Sequence, residues 1–293
     1  MRIWLNAARP RTLPAAVAPV FVGTAAAIYA ADDFPRVLGF LAALVASILI
    51  QIGTNLANDY SDARRGADSA DRLGPVRVTS AGLITPKRVL TATWIAFGLA
   101  ALLGLYLAWL AGWVILVVGI VSIAAGFLYT GGPRPYGYAG LGEVFVFVFF
   151  GLVAVNGSYY VQLEELAWLP FGLSVTVGLL STAILVVNNV RDIDSDRRAE
   201  KNTLAVRLGR EKTRRLYVFL VLAAFFVLGL TIVLNDGPWL ALIGLIAIPM
   251  ARDPIAAVTG RTDGPSLNKA LAGTGALLGA TSLLTAIGLV LGA

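Results

Sequence analysis

Nine apolar stretches, each long enough to cross a hydrocarbon core of about 30 Å, follow one another along the sequence. They lie near residues 13–31, 37–58, 88–109, 112–130, 139–161, 168–189, 215–234, 238–258 and 270–291. A backbone in lipid must satisfy its own N–H and C=O groups, so the pattern predicts an all-α polytopic membrane protein, one domain over 1–293. Composition agrees: 58% of residues are hydrophobic and 14% charged, against about 25% charged in soluble domains. Pro14 and Pro19 interrupt the first stretch, which also outruns the apolar run of a secretory signal. It is expected to remain as a kinked helix.

With nine spans the two termini fall on opposite sides. Of the 23 Lys and Arg residues, 22 then lie on one side and Arg36 alone on the other. The positive-inside rule places the N-terminus in the cytoplasm and the C-terminus outside, in a bacterial cell (inner) membrane. The formal charge of +6 and pI of 9.8 therefore reflect cytoplasmic loops and anionic ligands, and no nucleic-acid partner is expected. The outer loops are short and two inner loops are long, so chemistry belongs to the cytoplasmic face.

The sequence has no Cys and no His. Thiolate, imidazole, haem and most zinc chemistry are excluded, leaving carboxylates, Tyr, Lys and Arg. Both long inner loops open with related acidic text. The first reads Asn55-Leu-Ala-Asn58-Asp59-Tyr60-Ser-Asp62, with Gly66 and Asp68 following; the second reads Asn188-Asn189-Val-Arg191-Asp192-Ile-Asp194-Ser-Asp196. They follow the second and sixth spans, which suggests two related four-helix units with a ninth helix added. Each cluster stands at a helix C-terminus, where the macrodipole disfavours anions by up to about 1 kcal/mol. Spacings of three and four residues add repulsion between Asp59 and Asp62 and between Asp192 and Asp196. Oxygen donors beside Asn carboxamides suit a hard ion, Mg²⁺ with Mn²⁺ as the alternative, and the candidate ligands are Asn55, Asp59, Asp62, Asp68, Asn188, Asp192 and Asp196. Arg72 and Arg77 follow the first cluster and Lys201 the second. Metal-binding acid with base beside it is what a diphosphate requires.

These motifs resemble the UbiA superfamily of intramembrane prenyltransferases, within it the menaquinone (MenA) branch that acts on 1,4-dihydroxy-2-naphthoate. The resemblance is carried by Ala8-Arg9-Pro10-Arg11-Thr12-Leu13-Pro14, by Asn58 to Asp68, by Gly74-Pro75-Val76-Arg77, by Tyr129-Thr-Gly-Gly-Pro133 leading to Glu143, and by Asn188 through Gly209. It implies a nine-helix bundle around a cavity open toward the cytoplasm. It also implies transfer of a polyprenyl group from polyprenyl diphosphate to dihydroxynaphthoate, with loss of CO₂. On this reading Asp59, Asp62, Asp192, Asp196 and Lys201 are catalytic, and Arg72, Arg77, Lys201, Asn58, Asn189 and Arg191 hold the diphosphate. One departure stands out: Glu200 occupies the position before Lys201 where the family usually has Gly, which predicts an altered turn or weaker phosphate affinity.

Tyr60, Tyr129, Tyr136 and Tyr138 lie near inner span ends, where they can face an allylic cation or simply line the membrane interface. Glu143 lies just inside the fifth span, where a charge is costly, and is a candidate for binding the acceptor's hydroxyls or for pairing with a base. Arg9 sits in an interfacial segment with Trp4 and Leu5, as an anchor or as partner of the acceptor's carboxylate. A transporter would carry ionisable groups deep in its spans, yet the charges gather at the inner ends, which favours an enzyme. Residue chemistry alone leaves other acceptors open: hydroxybenzoate, homogentisate, a porphyrin or a glycerol ether.

Overall fold

The computed structural model describes residues 2–31, 33, 35–66 and 73–293. The candidates Asp68 and Arg72 lie outside the described residues. The described chain is helical: α1 (Arg2–Ala8), α2 (Pro14–Ala31), α3 (Val37–Arg64), α4 (Pro86–Ala111), α5 (Trp113–Leu128), α6 (Gly142–Val146), α7 (Ala154–Leu163), α8 (Trp168–Arg198), α9 (Leu204–Leu208), α10 (Arg210–Leu234), α11 (Arg252–Gly260) and α12 (Gly264–Leu291). A π-helical segment, Phe147–Val153, joins α6 to α7, and a 3₁₀ segment, Trp239–Ala251, runs into α11.

Eight of the nine expected spans are long and apolar enough to cross a membrane, counting Gly142–Leu163 and Trp239–Gly260 as continuous. The ninth, expected at 112–130, is shorter: α5 has 16 residues, about 24 Å at 1.5 Å per residue. Its ends are set by glycine and proline. Gly112, at φ 87°, reverses the chain between α4 and α5, and Gly131-Gly132-Pro133 follow α5 with Gly132 at φ 74°.

Elsewhere the helices outrun their apolar stretches. α3 continues through Arg64 and α8 through Arg198, so both acidic motifs are carried on helix, with their spacing fixed by the helical turn. Proline at the first helical turn starts α4 at Pro86, after Thr85, and α12 at Gly264, where the Asp263 side chain accepts from the Ser266 N–H at 2.8 Å. That bond holds the Asp263 carboxyl below the usual carboxylate range.

The main core gathers buried side chains from α2, α7, α8, α10, α11, α12 and the Trp239–Ala251 segment. Lipid offers no hydrophobic drive for helices to associate, so these elements rely on close approach through small residues. A Cβ on Gly288 would lie 2.1 Å from the Leu240 carbonyl oxygen, and one on Gly151 would lie 2.6 Å from the Cα of Gly178. By contrast, a Cβ on Gly98 of α4 would meet nothing within 4 Å. Gly288→Ala is therefore expected to cost about 1–3 kcal/mol or more through overpacking against backbone. Gly98→Ala should stabilise by up to about 1 kcal/mol through helix propensity. Melting temperatures in detergent, lowered in the first variant and raised or unchanged in the second, check the pair.

Candidate active site

A cavity of about 580 Å³ opens between α2, α3, α4, α5, α7 and α8. At one end it is walled by Asn58, Asp62, Arg77, Tyr138, Asn188, Asn189, Asp192, Asp196 and Lys201; its body is apolar, lined by residues such as Leu105, Ile120, Phe149 and Val153. Thus the C-terminal ends of α3 and α8 bring both acidic motifs to one space.

Asp62 is the centre of the polar end. Its side chain is 1% exposed, and Oδ2 takes Arg77 at 2.9 Å and Lys201 at 3.1 Å while Oδ1 accepts from the Tyr138 hydroxyl at 2.7 Å. A buried carboxylate demands such partners, and here two cations share one anion, which leaves positive charge at the wall for a further anion. The Tyr138 ring also lies beneath the Lys201 ammonium, 4.8 Å from centroid to Nζ, and beneath Arg65 at 5.6 Å.

Asp59 faces the other way. Its two oxygens accept from the backbone N–H groups of Val78 and Thr79 at 3.0 and 2.9 Å. That bond pair anchors the chain immediately after Arg77 and so positions the guanidinium against Asp62. Tyr60, next in sequence, packs with the Ala7, Leu56, Val78, Ile84 and Val89 cluster, and its hydroxyl accepts from Arg64 at 3.2 Å. Neither residue lines the cavity. Asn58 does, with Oδ1 accepting from the Thr130 hydroxyl at 2.8 Å. Asn55 lines the cavity farther along α3 and donates to the Ala8 carbonyl at 3.0 Å.

On α8, Arg191 grips Asp192 through two bonds, Nε to Oδ1 at 2.8 Å and Nη2 to Oδ2 at 2.6 Å. Arg191 also donates to Asn188 Oδ1 at 2.5 Å and Asn268 Oδ1 at 2.7 Å. It lies behind the wall that Asp192 and Asn188 form. Asp196 stands half-buried at the cavity mouth. Glu143 is buried, and Oε1 accepts from Asn189 Nδ2 at 2.8 Å; Asn189 lines the cavity while Glu143 stands behind it. Arg9 and Tyr129 both line the cavity. Among the described residues no three acidic side chains converge as a ready metal cluster, because Asp59 is turned to the Val78–Thr79 amides and Asp192 to Arg191.

Sequence reasoning did not single out Phe145 and Phe149, which extend an aromatic row into the cavity. Tyr129 meets Tyr136 edge to face at 5.4 Å, Tyr136 stacks on Phe145 at 3.9 Å, and Phe149 follows at 6.0 Å. Burial pushes the Tyr136 hydroxyl well above the usual tyrosine range, so it stays a neutral donor to the Ala125 carbonyl at 2.8 Å. Spacings of four residues between Phe145 and Phe149 were the available signal, although in an apolar span such spacing is commonplace.

Lys201 reaches Asp62 because α8 ends in a tight turn. The Lys201 N–H donates to the Asp196 carbonyl at 2.9 Å and the Glu200 N–H to the Arg197 carbonyl at 3.3 Å, the paired bonds of a Schellman cap. Glu200 occupies the left-handed position of that cap at φ 55°. The expected change of turn does not occur: Glu200 adopts the backbone that Gly would, at a cost of about 1 kcal/mol. Glu200→Gly should accordingly raise stability by up to about 1 kcal/mol, visible as a higher melting temperature, while leaving the Lys201 contact in place.

The comparisons with known proteins follow the same lines. The UbiA prenyltransferase family model matches residues 16–271. The chain is 47% identical over 274 residues to a 1,4-dihydroxy-2-naphthoate octaprenyltransferase of Mycobacterium tuberculosis, covering 93% of this chain and 91% of the relative. It is 44% identical over 233 residues to a protein of that name in Escherichia coli, covering 78% and 75%. Among solved structures, a UbiA homologue from Archaeoglobus fulgidus bound to GPP and Mg²⁺ superposes with a TM-score of 0.68 at 12% identity, covering 98% of this chain and 99% of that one, a likeness of fold. By the family model that spans residues 16–271 and by its sequence relatives, the chain belongs to the UbiA prenyltransferase family.

Proposed function

We propose that this chain transfers a polyprenyl group from polyprenyl diphosphate to 1,4-dihydroxy-2-naphthoate with loss of CO₂, giving demethylmenaquinol for menaquinone synthesis. The observation that carries the reading is the joining of a charged end around Asp62 to an apolar cavity body, in a chain whose relatives at 44–47% identity bear the name 1,4-dihydroxy-2-naphthoate octaprenyltransferase.

Arg77 and Lys201 share one carboxylate and can turn toward an entering diphosphate, whose charge rises as the C–O bond to the allylic carbon breaks. The bond's electron pair leaves with the diphosphate. The acceptor ring supplies the pair for the new C–C bond. Loss of the carboxylate as CO₂ returns a pair to the ring, so the net reaction balances without an oxidant. Tyr138, with its hydroxyl on Asp62 and its face to Lys201, keeps those charges oriented. The apolar body excludes water, which would otherwise capture the allylic cation.

The all-oxygen donors Asp62, Asp192, Asp196 and Asn188 line one cavity, and Mg²⁺ asks for only one or two carboxylates beside waters and phosphates. These residues suit Mg²⁺ or Mn²⁺. Such an ion, when bound, neutralises the diphosphate and stabilises it as a leaving group. Asp59 and Glu143 act through others, Asp59 on Arg77 and Glu143 on Asn189.

Purified protein supplied with octaprenyl diphosphate and dihydroxynaphthoate should release CO₂ and diphosphate in equal amounts. Asp62→Asn and Asp192→Asn should each lower kcat by about a hundredfold or more, and chelator should remove activity that Mg²⁺ restores. Near-normal turnover in both variants would refute the assigned site.

Orientation follows from the same reading with α5 counted as a ninth, short crossing: the N-terminus and the charged end are cytoplasmic and the C-terminus lies outside. The natural chain has no cysteine, so single substitutions report cleanly. Ser80→Cys should resist a membrane-impermeant thiol reagent in intact cells and react after lysis, whereas Leu166→Cys should react in intact cells. The reverse pattern would invert the topology.

A further inference from the structure

The face of α3 that carries Asp62 continues away from the charged end through Asn58, Asn55 and Gln51, spaced as successive helical turns, and all four line the cavity. Gln51 is 8% exposed. Its Nε2 donates to the Thr12 hydroxyl oxygen at 3.1 Å. That donation fixes which end of the carboxamide faces Thr12. The single proton of Thr12 is given to the Arg9 carbonyl at 3.0 Å, so its oxygen can only accept from Gln51, as it does from Asn55 at 3.3 Å. Gln51 Oε1 is therefore directed away from Thr12, buried, with no protein partner.

The opposite wall holds a counterpart. Asn58-x-x-x-Asp62 on α3 repeats as Asn188-x-x-x-Asp192 on α8, and seven residues before each Asn stand Gln51 and Ser181. Ser181 is 2% exposed, lines the same cavity, and its hydroxyl has no protein partner. The two groups thus lie at matching depth, about 16 Å along the helices from the aspartates at 1.5 Å per residue. A buried acceptor without a donor is costly, and a prenyl chain has no donor to give. The occupant that satisfies Gln51 Oε1 carries an O–H or N–H group. Arg9 lines the cavity beside Thr12, offering a cation for a carboxylate, and the Tyr136, Phe145 and Phe149 rings supply a flat aromatic wall.

We infer that Gln51 Oε1, with Ser181 at the same depth of the cavity, accepts a hydrogen bond from a ring hydroxyl of the aromatic acceptor and thereby selects hydroxylated naphthoates. This rests on the acceptor proposed above. Accepting that bond also leaves more electron density on the phenol oxygen and hence on the ring that attacks the cation. A site that reads a hydroxyl discriminates strongly against analogues without one.

The test uses the full-length protein in detergent or vesicles, octaprenyl diphosphate, dihydroxynaphthoate, and two competitors lacking one hydroxyl each, 1-hydroxy-2-naphthoate and 4-hydroxy-2-naphthoate. If the natural chain fails to prenylate dihydroxynaphthoate, the proposed acceptor is wrong and the failure lies there. Given turnover, Gln51→Leu should lower kcat/KM for dihydroxynaphthoate about tenfold with the donor KM unchanged. One of the competitors, already lacking the hydroxyl that Gln51 reads, should bind Gln51→Leu and the natural chain with equal inhibition constants. Ser181→Ala should show the same acceptor-selective pattern at about threefold. Gln51→Met, which keeps the side-chain length, serves if the Leu variant is not recovered folded. An equal penalty on dihydroxynaphthoate and on the binding of both competitors, a raised donor KM, or no change would overturn the assignment of Gln51, and an unchanged Ser181→Ala would remove Ser181 from it.

Discussion

A carboxylate 1% exposed near the C-terminal end of a long apolar helix must be neutralised on the spot, and the neutralisation of Asp62 organises the charged end of this protein. Its partners come from three separate connections: Arg77 from the loop after α3, Tyr138 from the turn before α6, and Lys201 from the turn after α8. The loops are in turn secured from the helices they serve, with Asp59 receiving Val78 and Thr79, and the cap at the end of α8 presenting Lys201. One buried charge thus converts three loops into a fixed wall. The same contact stores the cations that a diphosphate needs, so removing Asp62 is expected to damage both the wall and the chemistry.

Much of this was legible in the sequence, for reasons that differ by residue. Apolar length located, among the described residues, eight helices long enough to cross a membrane, because lipid imposes that length on each one independently. The same criterion overestimated α5, whose hydrophobicity runs on into a Gly-Gly-Pro break that ends the helix early. Paired Asp motifs on α3 and α8 identified the two helices that meet at the site, since both carry charge where the macrodipole and neighbouring carboxylates oppose it. Sequence could not say which way each Asp turns. Asp59 and Asp62 differ by three positions on one helix, yet Asp59 meets backbone amides 19 and 20 residues away while Asp62 meets cations from distant loops. Glu200 was recognised as unusual, but its adoption of left-handed backbone could only be read from the turn itself. Gln51 was invisible because its meaning depends on Thr12, 39 residues earlier, having already committed its proton to Arg9.

The packing of the two halves also differs in kind. α2, α8, α10, α12 and the Trp239–Ala251 segment share one continuous core and meet through glycines with no room for a methyl group. α4 and α5 stand outside that core, and in α5 only Ile115 and Ala125 are buried. Of the cavity-facing glycines here, Gly104 on α4 and Gly119 on α5 have open space where a Cβ would stand, whereas Gly126 of α5 is closed off by Thr54 of α3. Tightly interdigitated helices resist displacement because any shift forfeits dispersion contacts on several sides at once. Asp192, Asp196 and Lys201 belong to α8 and the turn that ends it, and the Lys201–Asp62 ion pair ties α3 to that densely packed side, where geometry must hold within fractions of an ångström for charge stabilisation. α4 and α5 bound one side of the cavity's apolar body, where an extended flexible chain needs volume more than fixed contacts. Rigidity is concentrated where charge moves, and space is left where hydrocarbon must lie.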